Sequence, residues 1–288
     1  ANIANVALFT TLVTRSDYIF YDSSSSKHVL DAISFSKAKT LSYSHVNAIE
    51  NIENQVKLVH EKFPKSKKVI VSSSIFMNEG DICQLKDIHR IAQNYQCIVV
   101  IDDTFGCGFF DGSSNNILEF FKFKGQIDFI TGSFSGIMES NGGFIVYGEN
   151  QKSFMNSLKI NYERDAILPN TAGALLASYQ CLETPLNTSS SGKINRRLQL
   201  FKNILHWKNG LKRIGLDIPN HSKSTVIPIF MPTNESGIAV QKALQTQGLY
   251  VSYESNEKDV QHHYKIITSI QTRMTSDEID QALEIMGR

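Results

Sequence analysis

Two groups of polar residues follow predicted buried strands, and they are where this chain has the means to do chemistry. The segment Asp102–Thr104 comes after the apolar run Cys97–Ile101, and Ser133–Gly136 comes just after the run Ile127–Thr131. In a sheet of parallel strands, ligands bind beyond the carboxyl ends of the strands. An aspartate there can bind a cation, a ribose hydroxyl or a protonated ring nitrogen, and serine with glycine can approach a phosphate closely. Taken alone, these residue types also suit turns and helix caps, and that structural interpretation is favoured.

The elements that would position these residues alternate between strand and helix patterns, which predicts an α/β fold with a largely parallel sheet. Cys97–Ile101 is an unbroken apolar run, as expected for a strand that is buried on both faces. The predicted strands of this region are Tyr18–Tyr21, Thr40–Tyr43, Lys68–Val71, Cys97–Ile101, Ile127–Thr131 and Gly143–Val146. The predicted helices are Ala1–Val13, His28–Phe35, Asn47–His60, Gln84–Tyr95 and Thr171–Leu182.

A polar, serine-rich segment at Leu186–Gly192 predicts a boundary between a large domain, residues 1–185, and a smaller C-terminal domain, residues 186–288. The length of 288 residues fits about two domains. Beyond the boundary, Lys193–Ile214 is predicted as one long amphipathic helix, and the rest forms a compact α+β unit. Its predicted elements are the strands Ser224–Phe230, Tyr250–Tyr253 and Lys265–Ser269 and the helices Gly237–Gln247 and Ser276–Met286.

Composition limits the classes of function. Lys and Arg total 29 and Asp and Glu total 28, so the net charge is +1 and no nucleic-acid partner is expected. The hydrophobic content of 41% and charged content of 20% exclude a disordered chain. The 4 cysteines form no CxxC pair, which favours a reduced protein without a zinc site. The helix Ala1–Val13 starts without an N-cap, so we expect the numbering to begin inside a longer native protein.

The order of several motifs resembles the α-oxoamine synthase family of pyridoxal-phosphate enzymes. The segments that carry the resemblance are Phe76–Cys83, Val99–Gly106, Asp128–Ser135, Asn141–Ile145 and Thr275–Leu283. The likeness extends over nearly the whole chain. It implies the fold-type I architecture, in which a large domain with a mixed, mostly parallel sheet between helices is joined to a smaller C-terminal α+β domain. It also implies pyridoxal phosphate as the family cofactor.

In that family, a lysine forms a Schiff base with the cofactor and an aspartate keeps the pyridine nitrogen protonated. The resemblance implies that Asp102 is the ring-nitrogen aspartate and that Ser133 stands where a phosphate-binding threonine is usual. Thr104 and Ser26 are the other positions implied to face a vestigial cofactor site, and Ser26 replaces a ring-stacking histidine. The lysine position is Gly136, and because glycine has no amine, no catalytic residue is expected in this chain.

Other departures from the family pattern point the same way. Phe105 replaces a histidine near the cofactor's phenolic oxygen, and Met77 replaces a serine. The position that binds the substrate carboxylate with an arginine is Lys265, which keeps the charge but loses the bidentate fork. Together with Ser26 and Gly136, these substitutions indicate that the chain has lost catalytic activity.

One branch of the family, the first long-chain-base subunit of eukaryotic serine palmitoyltransferase, also lacks the lysine. The sequence of Phe76–Cys83 resembles that branch more than it resembles the catalytic members of the family. The resemblance implies a heterodimer with a catalytic subunit that condenses serine with palmitoyl-coenzyme A to 3-ketosphinganine, or a homodimer in isolation. It further implies a place at the cytosolic face of the endoplasmic reticulum membrane, with membrane contact only through residues absent from this chain.

Two other functions stay open. The chain is an active or cofactor-binding α-oxoamine synthase if its lysine has moved, and Lys27, near the lost stacking position, is the candidate. Alternatively, it is a regulatory or interaction protein on the same scaffold.

His45 is favoured as a structural loop residue and the pair His262 and His263 as part of a solvated loop. The Phe-rich segment 120–124 is favoured as a packed helix end over an interface.

Overall fold

The computed structural model describes residues 2–108, 110, 116–135, 138, 140–162, 167–183, 186–188, 192–194, 196–219, 224–255 and 264–288. The chain divides into two compact units. The first contains Ala1–Phe76, Cys83–Phe110 and Ser114–Glu183, and the second contains Met77–Ile82 and Thr184–Arg288. The predicted domain boundary between residues 185 and 186 lies beside residues outside the described set, and it stays a prediction.

Helices and strands alternate along the chain. The helices are α1 Asn2–Leu12, α2 Lys27–Ser34, α3 Ala48–Lys62, α4 Leu85–Tyr95, α5 Ile117–Phe120, α6 Lys152–Tyr162, α7 Pro169–Glu183, α8 Arg196–Arg213, α9 Asn234–Thr246 and α10 Ser276–Met286. The strands are β1 Tyr18–Asp22, β2 Lys39–Tyr43, β3 Lys68–Ser73, β4 Ile75–Phe76, β5 Asp81–Ile82, β6 Ile98–Asp102, β7 Phe129–Ser133, β8 Gly143–Tyr147, β9 Leu186–Thr188, β10 Gly192–Ile194, β11 Val226–Met231, β12 Ser252–Ser255 and β13 Tyr264–Ser269.

The first unit is built on a six-stranded sheet in the order β2-β1-β3-β6-β7-β8. Its first five strands run parallel, and β8 pairs antiparallel with β7. This confirms the predicted α/β fold with a mixed, mostly parallel sheet. The register places Asp102, the last residue of β6, opposite Ser73 on β3 and Thr131 on β7. Asp102 therefore lies at the carboxyl edge near the middle of the sheet, where ligands bind in folds of this kind.

Burial explains why these segments form central strands. Every residue of β3 and β7 is buried, as expected for strands covered by helices on both faces. The helix α1 packs onto this core through Leu8 and Phe9, which are fully buried. At about 25 cal/mol per Å² of buried apolar surface, such side chains supply most of the stabilisation of the sheet.

The second unit contains a three-stranded antiparallel sheet in the order β11-β13-β12. Helix α8 packs against α10 in this unit, and Trp207 on α8 is buried and donates from Nε1 to Thr268 Oγ1 at 3.0 Å. Helix α10 has the predicted bounds because Thr275 and Glu278 form a reciprocal capping box at its start.

Some elements differ from the sequence predictions, and the strand predicted at Tyr250–Tyr253 lies at Ser252–Ser255. The predicted helix Lys193–Ile214 begins only at Arg196, because Gly192–Ile194 pairs as a strand with Leu186–Thr188. Helix α6 was not predicted from the sequence. The Phe-rich segment 120–124 agrees with the favoured prediction of a packed helix end, because α5 ends at Phe120 and that ring stacks on buried Phe110 with ring centroids 5.1 Å apart. Among the described residues, no helix is long and apolar enough to cross a membrane.

Candidate functional site

The centre of the candidate site is the carboxylate of Asp102. Its side chain is 1% exposed, and both of its oxygens are hydrogen bonded. Oδ1 accepts from Thr104 Oγ1 at 2.8 Å and from Thr131 Oγ1 at 3.4 Å. A buried carboxylate needs such partners because an unpaired charge in the interior is costly.

The other oxygen of Asp102 is bonded to His28, a residue that the sequence analysis did not single out. His28 Nε2 lies 2.9 Å from Asp102 Oδ2, and because a carboxylate only accepts, Nε2 carries the proton and donates. His28 is the second residue of α2, and the preceding Ser26 places its Oγ 3.2 Å from the same Nε2. The implied site residues Asp102, Thr104 and Ser26 are therefore brought together, with His28 bonded between Asp102 and Ser26.

Asp103 follows directly and is also buried, with 1% of its surface exposed. Its backbone N–H donates to Thr131 O at 2.7 Å, which continues the alignment of β6 with β7. Burial raises the pKa of the Asp103 carboxyl to about 7, and the negative charge of Asp102 adds to the increase. This carboxyl is thus held near the boundary between its neutral and charged forms at neutral pH.

A cavity of about 770 Å³ opens beside this cluster in the first unit. Its polar end is formed by His28, Thr104 and Ser133, and its walls are mostly apolar, with Phe105 and Phe144 among them. Asp102 does not line the cavity, since His28 lies over it. Within the described part of the chain, the cavity wall includes no lysine.

Ser133, the implied phosphate position, ends β7 and is engaged locally. Its Oγ lies 2.8 Å from Ser135 Oγ and 3.3 Å from Gly142 O, and it accepts from the Ser135 backbone N–H at 3.1 Å. These groups border the cavity, so the hydroxyls face the space where a phosphate would lie. Gly136 lies outside the described residues, and its identity is known from the sequence alone.

The displaced-lysine alternative gains no support from the position of Lys27. Lys27 is the first residue of α2, it is exposed, and it does not line the cavity.

The other histidines considered in the sequence differ in their environment. His45 Nδ1 lies 3.0 Å from Asp22 Oδ2, and its ring packs edge-on against Phe76 with centroids 4.5 Å apart. This pair joins the ends of β1 and β2, which is a structural arrangement. His262 and His263 lie outside the described residues. The described residues contain no group of three His, Cys, Asp or Glu side chains placed to hold a metal ion.

The second unit contains the implied substrate-carboxylate position, Lys265 on β13. Its side chain is 2% exposed, and its Nζ lies 2.6 Å from Glu79 Oε2. On the neighbouring strand, Glu254 is directly opposite Lys265 and accepts from Asn78 Nδ2 at 2.6 Å. Partial burial raises the pKa of Glu254, the positive charge of Lys265 lowers it, and the charge of Glu79 raises it. The ammonium group is thus compensated by carboxylates of the chain itself.

The fold and the sequence both match proteins of known structure and function. A family model for aminotransferase class I and II matches residues 1–285. The serine palmitoyltransferase of Sphingobacterium spiritivorum is 26% identical over 287 residues, which are 99% of this chain and 68% of that protein. A putative 8-amino-7-oxononanoate synthase of Geobacillus kaustophilus is 24% identical over 99% of this chain and 70% of its own length.

Solved structures show the same fold. A serine palmitoyltransferase from S. paucimobilis with a bound PLP–myriocin aldimine has a TM-score of 0.84 at 23% identity and covers 99% of this chain and 69% of that one. An 8-amino-7-oxononanoate synthase from Francisella tularensis has a TM-score of 0.77 at 20% identity and covers 100% and 79%. This chain thus spans about two thirds to four fifths of these relatives.

Pyridoxal phosphate, the cofactor of this family, is a poor fit to the residues present. The carboxylate that would bind the ring nitrogen is already bonded to His28, and no described lysine lines the cavity. The hydroxyls of Ser133 and Ser135 border the cavity, and their chemistry suits a phosphate.

Proposed function

This chain belongs to the aminotransferase class I and II family, and we propose that within it the chain is a non-catalytic subunit of a serine palmitoyltransferase. The observation that carries the proposal is that both charged groups expected to serve the reaction are compensated by side chains of the chain. Asp102 is bonded to His28 in the first unit, and Lys265 is bonded to Glu79 in the second.

The missing amine supports the same proposal. Covalent catalysis with a pyridoxal cofactor requires a lysine that forms a Schiff base. The position that matches this lysine is Gly136, and the described cavity wall offers no other amine. Lys27 on α2 is exposed and does not line the cavity.

The choice of serine palmitoyltransferase over the oxononanoate synthases depends on sequence. The segment Phe76–Cys83 resembles the lysine-lacking subunit of the eukaryotic enzyme, and the bacterial serine palmitoyltransferase is among the relatives found. In this proposal, a partner condenses serine with palmitoyl-coenzyme A and releases carbon dioxide, which starts sphingolipid synthesis. The intact complex would lie at the cytosolic face of the endoplasmic reticulum membrane.

A surface of the first unit supports an obligatory protein partner. Helix α7 carries no charged residue before Glu183, yet Leu176 is 60% exposed and Tyr179 is 50% exposed. Leu168, just before the helix, is 65% exposed. Ser178 Oγ donates to Met138 O at 3.1 Å, so the helix is attached to the chain at Met138. An uncharged apolar surface of this kind is typical of a protein–protein interface.

We propose that this surface binds a homologue that retains the lysine, and co-expression tests it. The two chains should co-purify and form pyridoxal-dependent activity that neither chain shows alone. Leu176→Glu should abolish the complex, because a charge would be buried in its interface. Leu58→Glu is the matched control, since Leu58 on α3 is similarly exposed and its substitution should leave the complex intact. A stable, active homodimer would contradict the proposal.

Borohydride reduction tests the displaced-lysine alternative directly. After incubation with a stoichiometric amount of pyridoxal phosphate, the isolated chain should yield no specifically modified lysine by mass spectrometry. The serine palmitoyltransferase of S. spiritivorum, treated in parallel, is the positive control. A single lysine of this chain modified to high occupancy would favour an active synthase and refute the non-catalytic role.

A further inference from the structure

We propose that His28 is a resident substitute for the cofactor ring, which closes the acidic site of this chain to pyridoxal phosphate. The inference deepens the non-catalytic role proposed above and rests on it. It goes beyond the missing lysine, because a chain without the lysine still has the means to hold the cofactor non-covalently if the aspartate is accessible.

His28 and a cofactor ring would both donate to the same buried carboxylate. A protonated pyridine nitrogen would donate to a carboxylate oxygen of Asp102, and His28 Nε2 donates to Oδ2 of that carboxylate at 2.9 Å. The other oxygen accepts from Thr104 and Thr131. Both rings are flat, aromatic and carry an N–H donor, so the imidazole makes the hydrogen bond to Asp102 that the cofactor ring would make.

The position of His28 is fixed by the surrounding residues. The helix α2 begins at Lys27, so the backbone of His28 is held in the first turn. Ser26 contacts the same nitrogen, and the Phe105 ring lies edge-on to the imidazole with centroids 6.1 Å apart. Phe105 stands where the family has a histidine, so the substitution supplies an apolar wall for the new ring.

The arrangement also satisfies a requirement of folding. A carboxylate that is nearly fully buried needs a donor whether or not a cofactor is present. In a chain that never binds the cofactor, Oδ2 of Asp102 would otherwise lack a donor, and His28 supplies that donor from within the chain. The buried pair of Lys265 and Glu79 in the second unit follows the same principle with the charges reversed.

Equilibrium binding of pyridoxamine 5′-phosphate tests the proposal. This probe carries the pyridine ring and the phosphate but has no aldehyde, so it needs no lysine. By isothermal titration calorimetry, the wild-type chain should show no saturable binding at millimolar probe. His28→Ser should bind the probe more tightly by about tenfold to a hundredfold, the range for one charge-assisted hydrogen bond. Adding Asp102→Asn to this variant should remove the gain.

His45→Ala is the matched control, because it breaks the other histidine–aspartate pair of the first unit and should leave binding unchanged. Equal affinities of the wild type and His28→Ser, or a gain that survives Asp102→Asn, would overturn the proposal.

A measurement on the wild type serves if the variants fail to fold. The imidazole N–H resonance of His28 should stay unchanged when the probe is added, and a saturable shift or loss of that signal would overturn the proposal. The result of this binding test can be distinguished from the result of the co-expression test of the proposed function. Binding of the probe by the wild type refutes the role of His28 but not the subunit role, which depends on the co-expression result.

Discussion

Replacing Asp103 with asparagine should change how the stability of the first unit depends on pH. The wild-type carboxyl is buried, and its pKa is raised to about 7 from a value of 3.8 for an unperturbed aspartate. Asparagine has nearly the same shape but does not titrate. The difference between the variant and the wild type therefore isolates the cost of charging this one buried group.

Linkage between protonation and folding determines the sign and size of this difference in unfolding free energy. Because the folded state holds the proton more tightly than the unfolded state, the neutral carboxyl stabilises the fold fully below about pH 4. That contribution is lost as the pH rises through about 7. Between pH 5 and pH 8, the wild type should lose about 3 kcal/mol of unfolding free energy relative to Asp103→Asn.

Urea denaturation followed by far-UV circular dichroism at several pH values measures this difference. The single tryptophan, Trp207, belongs to the second unit, so its fluorescence reports on the other part of the chain. Asp87→Asn on α4 is the matched control, because that side chain is 50% exposed and its replacement should not reproduce the dependence. A constant difference between Asp103→Asn and the wild type from pH 5 to pH 8 would refute the reasoning.

Two further predictions concern packing and charge in the described helices and strands. Glu79→Gln should destabilise the second unit by about 2 kcal/mol, which is less than the roughly 3–5 kcal/mol for breaking a buried pair, because Glu254 lies opposite Lys265. Adding Lys265→Met should recover most of that loss in denaturation followed by Trp207 fluorescence, and a loss below about 0.5 kcal/mol would argue against a buried pair. Gly210→Ala should cost about 1–3 kcal/mol because its Cβ would collide with Leu283. Gly173→Ala, with nothing within 4 Å, should gain up to about 1 kcal/mol in thermal unfolding, and equal effects at both positions would contradict this.

Local patterns explain which parts of the fold were predictable. The central strands were found because continuous apolar runs such as Cys97–Ile101 have few alternatives in an α/β chain. The bounds of helix α10 were predicted correctly because its capping box is formed by residues close together in the sequence, Thr275 and Glu278. The hairpin of β9 and β10 was missed because its short, polar strands have the composition of a loop.

The site was predictable only in its outline. Asp102 was found because it follows a buried strand, and that position alone places it at the carboxyl edge of the sheet. His28 was missed because its contact joins residues 74 positions apart, and no local spacing reports it. The partner of Lys265 was missed for the same reason, since family resemblance assigned this residue to a substrate and only the structure shows Glu79 beside it.

The ion pair of Glu79 and Lys265 also sets an order of events during synthesis of the chain. The two residues are 186 positions apart, and at roughly 5–20 residues per second the ribosome needs about 10–40 s to make the intervening chain. During that time, the Glu79 carboxylate does not yet have the Lys265 ammonium group as its partner. The ion pair between Met77–Ile82 and the rest of its unit therefore forms only after the strand β13 has been synthesised. A chain whose synthesis stops before Lys265 therefore lacks this ion pair, whether or not the rest of the chain has folded.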